Sequence, residues 1–288
     1  MAEETGNKQY RDSVFCDYFK DKTRLLSLCN ALLKTNYTDT KELVITTLPG
    51  TFFKRQKNDI SCTLGNKSLV LIEHQTIASE NLPFRCLSYV TELLNNLVTD
   101  KNKLYQKALI RFPVPEFIVL YNGDENEPNI RHMRLSDAFG GDDHSLELRL
   151  KAYNINYGAG LDLLDKCDFL KDYSLFVAKV KEGIRNGLPT NEAIKQAINY
   201  CIEQNIMKNY LKKNAKEVFT MAMLEYNEND AHAAWKAEGI AEGIEKGMEK
   251  GMEKGILTTA VNMLKENIPL EIISRVTNLP TDKILLLK

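Results

Sequence analysis

The chain lacks several features that would place it in a class at once. No apolar run approaches the roughly 18 residues of a membrane-spanning helix, and the amino-terminal stretch has no apolar signal-peptide core. We therefore expect a cytoplasmic protein that makes no use of a membrane. The formal net charge of −1 provides no global basic field to attract nucleic acid, so contacts with phosphates must come from local patches.

Cysteine is present but shows no ligand or disulfide pattern. The six cysteines include no Cys-x-x-Cys pair and mostly lie within apolar patterns. This spacing argues against a zinc site or a disulfide framework, and it predicts reduced residues in the core. At 288 residues the chain is long enough for one sizeable core and a smaller module.

The most informative feature that is present is a predicted hairpin with one carboxylate on each strand. In the first strand, 57–64, Asp59 shares a face with Ser61 and Thr63, the alternation of a half-buried strand. The second strand, Ser68–Gln75, is almost continuously apolar, which predicts a buried central strand that carries Glu73. Gly65, Asn66 and Lys67 between them predict a turn.

The length of this turn decides which residues face each other. A three-residue loop pairs Leu64 with Ser68 and places Asp59 opposite Glu73. A two-residue Gly-Asn loop shifts the register by one and places Asp59 opposite Ile72. The sequence leaves both open, and only the longer loop or a bulge brings the two carboxylates together.

Two adjacent carboxylates repel each other, and a cation between them offsets that repulsion. Mg²⁺ suits such a pair, because it takes hard oxygen ligands, keeps several waters and is completed by substrate phosphate. Gln75 shares the face of Glu73 and could orient a water, but an amide is not a general base. The His74 side chain points to the opposite face, so only its carbonyl could reach a metal. Spacing alone supports equally a plain exposed hairpin with scattered polar residues.

The remaining pattern predicts an α/β fold. Helices are expected in 12–35, a first strand at 42–48, a helix from Pro83 to about Val98, and a further strand at 116–121. Polar residues at 126–144 predict a loop. From 161 to 226 the pattern is helical throughout.

Several segments, in this order along the chain, carry a resemblance to a known family. They are 12–15, 58–61, 71–75, 81–85 and 115–123, followed by a Gly-Ile/Met-Glu-Lys repeat near the carboxyl end. Together they resemble the bacterial recombination-promoting nuclease and putative transposase family of the PD-(D/E)XK nuclease superfamily. We therefore expect a restriction-endonuclease-like core at 1–150, a helical extension at 151–235, and a Gly-repeat helix with a small helical tail at 236–288.

The resemblance implies an Mg²⁺-dependent DNA endonuclease, with Mn²⁺ as a substitute metal, associated with recombination or mobile elements. Asp59, Glu73 and Gln75 would be catalytic, and Asp59, Glu73 and His74 would hold the metal. Gln75 falls where the superfamily usually has Lys, whereas the family itself commonly has Gln. The alternative is a catalytically weak, nuclease-like protein that binds DNA or a partner without cutting.

Two regions are expected to bind partners. Lys54, Arg55 and Lys57 precede the acidic strand and, with Arg85 on the next helix, are candidates for contacts with double-stranded DNA. Glycine recurs every four residues from Gly239 to Gly255, which predicts a helix over 237–256 that pairs with a second copy in a homodimer. A flexible linker is the alternative for that region. The tail from 257 resembles a helix-turn-helix in outline, but its formal charge of only +1 favours a small packing bundle.

Overall fold

The computed structural model describes residues 13–47, 59–124, 126–140, 145–266 and 268–286, with backbone only at 227–253 and 256. Within these ranges the chain divides into two compact units, one ending at Asn227 and one beginning at Glu228. The predicted DNA-contact residues Lys54, Arg55 and Lys57 lie outside the described residues.

One mixed sheet organises the first unit. Its strands are β1 (Leu43–Ile45), β2 (Ile60–Leu64), β3 (Ser68–Gln75), β4 (Val114–Tyr121), β5 (Ile130–Arg134) and β6 (Arg149–Asn154). The order across the sheet is β1-β2-β3-β4-β6-β5. β3, β4 and β6 run parallel, and the other neighbours pair antiparallel. The predicted α/β class is confirmed at this level.

The hairpin of β2 and β3 has the register that brings the acidic residues together. Leu64 pairs with Ser68, and Ile60 pairs with Ile72, so the next position places Asp59 opposite Glu73. Gly65 and Asn66 take positive φ angles of 55° and 53°, which glycine and asparagine tolerate best. The expectation of a half-buried β2 was wrong, because all five of its residues are buried.

Nine helices are seen in the described residues. They are α1 (Val14–Phe19), α2 (Lys22–Leu33), α3 (Leu82–Leu97), α4 (Asp162–Lys166), α5 (Asp168–Arg185), α6 (Thr190–Glu203), α7 (Lys208–Lys265), α8 (Leu270–Thr277) and α9 (Thr281–Leu285). The side chains of Ser13 and Asp21 cap the first two by accepting backbone N–H bonds. Pro83 lies in the first turn of α3, as predicted.

The two faces of β3 lie against different layers. Leu69 and Leu71 pack against Tyr89 and Leu93 of α3 on one face. Val70 and Ile72 point to the other face, into the main core formed with α1, α2, α5 and α6. Because side chains alternate along a strand, Glu73 and Gln75 belong to the α3 side and His74 to the main core.

Two strands depart from the sequence prediction. The expected loop at 126–144 was wrong in part, since it contains β5, and β6 was not predicted. Both strands carry charged side chains, and in β5 only Met133 is buried, so the local pattern is weak. The expected boundary at 150/151 falls inside β6. Helices α5 and α6, which were expected in a separate extension, contribute to the core beneath β3.

The second unit contains a small three-helix cluster. Ala260 from the end of α7, Ile273 from α8 and Ile284 from α9 form its buried centre. The predicted helix over 237–256 is confirmed as part of α7, which also contains a kink at Asn214.

Among the residues the structure describes, no helix is long and apolar enough to cross a membrane. All six cysteines are buried, as predicted, and none of them forms a disulfide.

Candidate active site

Asp59 and Glu73 lie side by side at the open end of the hairpin. The Asp59 N–H donates to Glu73 Oε1 at 3.3 Å, and the His74 N–H donates to Asp59 Oδ2 at 2.7 Å. Each carboxylate therefore accepts a backbone hydrogen bond from the opposite strand. These cross-strand bonds fix both side chains, and they follow directly from the register set by the three-residue loop.

Glu73 sits in an environment that opposes its negative charge. Its side chain is 1% exposed. Burial and, next, the charge of Asp59 raise the pKa of Glu73 to about 8, although Arg85 and the Asp59 N–H act in the opposite direction. These surroundings therefore disfavour the ionised form of the Glu73 carboxyl. A cation placed beside it would favour the ionised form.

Arg85 of α3 spans the two functional residues of β3. Its Nη2 forms an ion pair with Glu73 Oε2 at 3.0 Å, and its Nη1 donates to Gln75 Oε1 at 3.4 Å. Its Nε donates to the hydroxyl of Tyr89 at 3.3 Å, one helical turn further on. Of the four predicted DNA-contact residues, Arg85 is the one that the described structure places at the acidic pair. Its side chain remains 39% exposed, so the guanidinium is accessible to a ligand.

Gln75 is joined through Arg85 to Glu73 of the acidic pair and lines an open pocket. Ile77, Leu82, Val119 and Tyr121 contribute to its walls together with Arg131. Arg131 is neutralised there by Glu80 at 2.5 Å and by Glu127 at 3.5 Å. Gln75 therefore faces both the carboxylates and a cleft, where an amide can orient a water or a phosphate oxygen.

The imidazole of His74 lies on the far side of the sheet. It stacks on Phe15 with ring centroids 4.7 Å apart, and its Nε2 lies 3.1 Å from the hydroxyl of Tyr173. Burial lowers the pKa of His74 to about 3, so the ring is neutral at physiological pH. Any contact between His74 and a metal is therefore left to its backbone carbonyl.

Lys181 of α5 is a structural participant that the sequence did not reveal. Its Nζ donates to Gly123 O and to Asn156 Oδ1, each at 3.1 Å, and pairs with Asp124 at 3.0 Å. It thereby ties the loop after β4 to the loop after β6. A single lysine in an amphipathic helix gives no local signal for such contacts, because its partners are 25 to 59 residues away in sequence.

The donor set fits a hard divalent cation. Asp59 and Glu73 supply carboxylate oxygens, and Mg²⁺ typically needs one or two of these, with waters and phosphate completing the shell. Within the described residues, no group of three or more His, Cys, Asp and Glu side chains forms a metal cluster.

Fold and site define an α/β protein with a mixed six-stranded sheet, in which a hairpin holds an acidic pair beneath an arginine. Comparisons with protein-family models, with curated proteins and with solved structures find no match for this chain.

Proposed function

We propose that this chain is an Mg²⁺-dependent DNA endonuclease with a core of the PD-(D/E)XK type. The observation that carries the proposal is the Asp59–Glu73 pair. Burial and mutual repulsion make ionisation of both carboxylates unfavourable, and the raised pKa of Glu73 is the result. A divalent cation at the pair would offset both terms. Arg85 also joins Glu73 of the pair to Gln75, which lines a cleft.

Each residue of the site has a proposed role. Asp59 and Glu73 hold Mg²⁺ or Mn²⁺ through their carboxylates, with the His74 carbonyl beside them. The bound metal supplies water activation and stabilises charge on the phosphate oxygens. Gln75 orients the attacking water by neutral hydrogen bonds. Arg85 is poised to contact a phosphate oxygen, because part of its guanidinium is exposed while the rest is held by Glu73.

The biological setting of the proposal rests on the sequence resemblance. It gives double-stranded DNA as the substrate, recombination or mobile DNA as the context, and the cytoplasm as the location. We also infer that the chain acts as a homodimer through the glycine-repeat part of α7, since two copies would carry two cutting sites.

One observation favours a second candidate, a nuclease-like protein that binds DNA without cutting it. Glu73 already has an internal cation, because Arg85 pairs with it at 3.0 Å. If that ion pair persists in the presence of Mg²⁺, the arginine takes the place of the metal. The protein would then retain a phosphate contact but lack a means of activating water.

Plasmid cleavage by isosteric variants tests the proposal. Asp59→Asn and Glu73→Gln keep the side-chain shapes but remove the charges that hold the metal. We expect each to reduce Mg²⁺-dependent nicking by at least about 10²-fold, since even outer-sphere changes at metal sites cost 10- to 100-fold. Circular dichroism would verify that the fold is retained.

Asp162→Asn and Glu203→Gln are matched controls, because both carboxylates are exposed on helices of the same unit. They should cut DNA as the unmodified protein does. Undiminished cutting by the Asp59→Asn, Glu73→Gln double variant would overturn the assignment. Tight DNA binding without cutting in Mg²⁺ or Mn²⁺ would favour the second candidate.

A further inference from the structure

Within the described residues, the connection between α3 and β4 is a strongly cationic exposed stretch. We call residues 101–113 the basic arm. It contains four basic residues, Lys101, Lys103, Lys107 and Arg111, and no acidic residue, whereas the whole chain has a net charge of −1. Every residue from 101 to 109 is exposed. The arm therefore concentrates positive charge in a chain that has no global basic field.

The cations of the basic arm differ from most others near the sheet in having no counter-charge. Arg85, Arg131 and Lys181 each form an ion pair with a carboxylate. Within the described ranges, Lys103, Lys107 and Arg111 have neither an ion pair nor a hydrogen bond from their side chains. An anionic ligand would meet these three charges without first displacing an internal partner.

Exposed apolar side chains alternate with these cations. Tyr105 is 90% exposed, Leu109 is 80% exposed and Phe112 is 39% exposed. If the arm were only a solvated charged surface, it would have no need of large apolar side chains exposed to water. Cations that follow a phosphate backbone, interleaved with aromatic rings on which bases stack, are the combination used to bind single-stranded nucleic acid.

The basic arm directly follows α3, the helix that carries Arg85 of the candidate active site. Helix α3 has 16 residues, about 24 Å in length, and carries Arg85 in its first turns. Tyr89 and Leu93 fix this helix against Leu69 and Leu71 of β3. A DNA strand that follows α3 away from the acidic pair would therefore lead to the arm.

We propose that the basic arm binds an unpaired DNA strand, with Lys103, Lys107 and Arg111 on the phosphates and Tyr105 stacked on a base. The position of the bound strand relative to a cleavage site rests on the proposed function, but the binding of the strand does not. An amphipathic helix that binds an anionic membrane buries an apolar face in the interface. The arm has only a short 3-10 turn, Lys101–Tyr105, which favours a nucleic-acid strand.

Fluorescence anisotropy with a labelled single-stranded 20-mer in EDTA tests the arm without cleavage. The Lys103→Gln, Lys107→Gln, Arg111→Gln variant should reduce the slope of log affinity against log salt by about 2, at about 0.7 per lost phosphate contact. The control is Lys22→Gln, Lys166→Gln, Lys212→Gln, which removes three exposed cations elsewhere and should leave the slope unchanged.

Tyr105→Ala separates strand binding from general attraction to polyanions. It should weaken binding of the single strand by about tenfold, the typical loss of one stacked base, and leave duplex binding unchanged. Tyr157→Ala is the control, because this tyrosine is 46% exposed outside the arm. Equal losses in the two tyrosine variants would overturn the stacking role.

The outcomes also distinguish the arm from the nuclease. Absence of strand binding by the unmodified protein, or equal salt slopes for the two triple variants, would overturn the arm. The proposal would also be overturned if the arm variants lost binding to phosphatidylserine vesicles but still bound DNA. If the protein binds the strand through the arm but never cuts plasmid, the arm stands and the nuclease proposal fails.

Discussion

Glu73 combines burial, a charged neighbour and an ion pair in one carboxyl group. Its raised pKa means that the folded chain binds a proton more tightly than the unfolded chain, in which the pKa is near 4.5. This contribution to stability is complete below about pH 4.5 and is lost as the pH rises through about 8. In the absence of metal, the site therefore becomes a source of instability under mildly alkaline conditions.

Glu73→Gln should remove this pH dependence. For the unmodified protein in EDTA, we expect the free energy of unfolding to fall between pH 5 and 8, by up to about 1.4 kcal/mol per pH unit. The amide does not titrate, so the variant should show a flatter profile in urea unfolding. Glu203→Gln is the control. Parallel profiles for the unmodified protein and Glu73→Gln would show that Glu73 is not the titrating group.

Substitutions at Gln75 test whether a neutral amide at this position is sufficient for cleavage. Gln75→Ala should slow Mg²⁺-dependent cleavage by about 10²-fold, the usual effect of losing one hydrogen bond made in the transition state. Gln75→Lys should be tolerated or activating, because it restores the cation of the wider superfamily. Single-turnover cleavage measures both. A rate for Gln75→Ala equal to that of the unmodified protein would reduce Gln75 to a structural residue.

At the scale of elements, the ends of β3 and β4 approach each other closely. A Cβ at Gly123 would lie 1.9 Å from the carbonyl oxygen of Thr76, a contact with backbone that cannot rotate away. Thr76 directly follows Gln75. The turn after β4 therefore constrains the strand end that presents the candidate catalytic amide.

Gly123→Ala should push these two chain segments apart. We expect a loss of about 1–3 kcal/mol in stability, as for other overpacked sites. Gly140→Ala is the matched control, because a Cβ there meets nothing within 4 Å, and its effect should stay within about 0.5 kcal/mol. Urea unfolding compares the two. Equal stabilities would show that the turn after β4 adapts freely.

The sequence predicted elements whose signals are local. The Gly65–Asn66 turn and its two flanking strands lie within one hairpin, so the strands could be predicted from local signals. The sequence left two registers open for this hairpin, and the structure shows the one in which Asp59 lies opposite Glu73. Arg85 and Tyr89 are four residues apart, so they lie on one face of α3 and are in contact. β5 and β6 were not predicted, because charged and partly exposed strands show no clear hydrophobic alternation. Only their pairing with each other in the sheet identifies them. Tyr173, 99 residues from its partner His74, offered no local signal.

On the scale of the whole molecule, α7 continues across the boundary between the two units. Its glycine-repeat part is a poor helix by composition, since each interior glycine costs about 0.8–1.0 kcal/mol relative to alanine. Glu245, Glu249 and Glu253 recur at four-residue spacing, which destabilises a helix further. Close pairing with a second glycine-repeat helix would offset both costs.

Sedimentation of the full chain and of a chain ending at Tyr226 tests this pairing. The shorter chain retains nearly all of the first unit, which ends at Asn227. We expect the full chain to sediment as a dimer at tens of micromolar and the shorter chain as a monomer. Two monomers would contradict the dimer, and two dimers would place the interface outside the glycine repeat.

The hairpin that carries the acidic pair has a consequence for the order in which the protein is built. Asp59 and Glu73 are 14 residues apart, so their meeting closes a short loop. Tyr173, which covers His74 on the reverse side, follows 99 residues later. At 5–20 residues per second, the ribosome delivers it about 5–20 s after the hairpin. The charged face of the site can thus assemble while the apolar face, which Phe15 already contacts, still lacks its cover from α5. Apolar surface that is exposed in this interval favours aggregation.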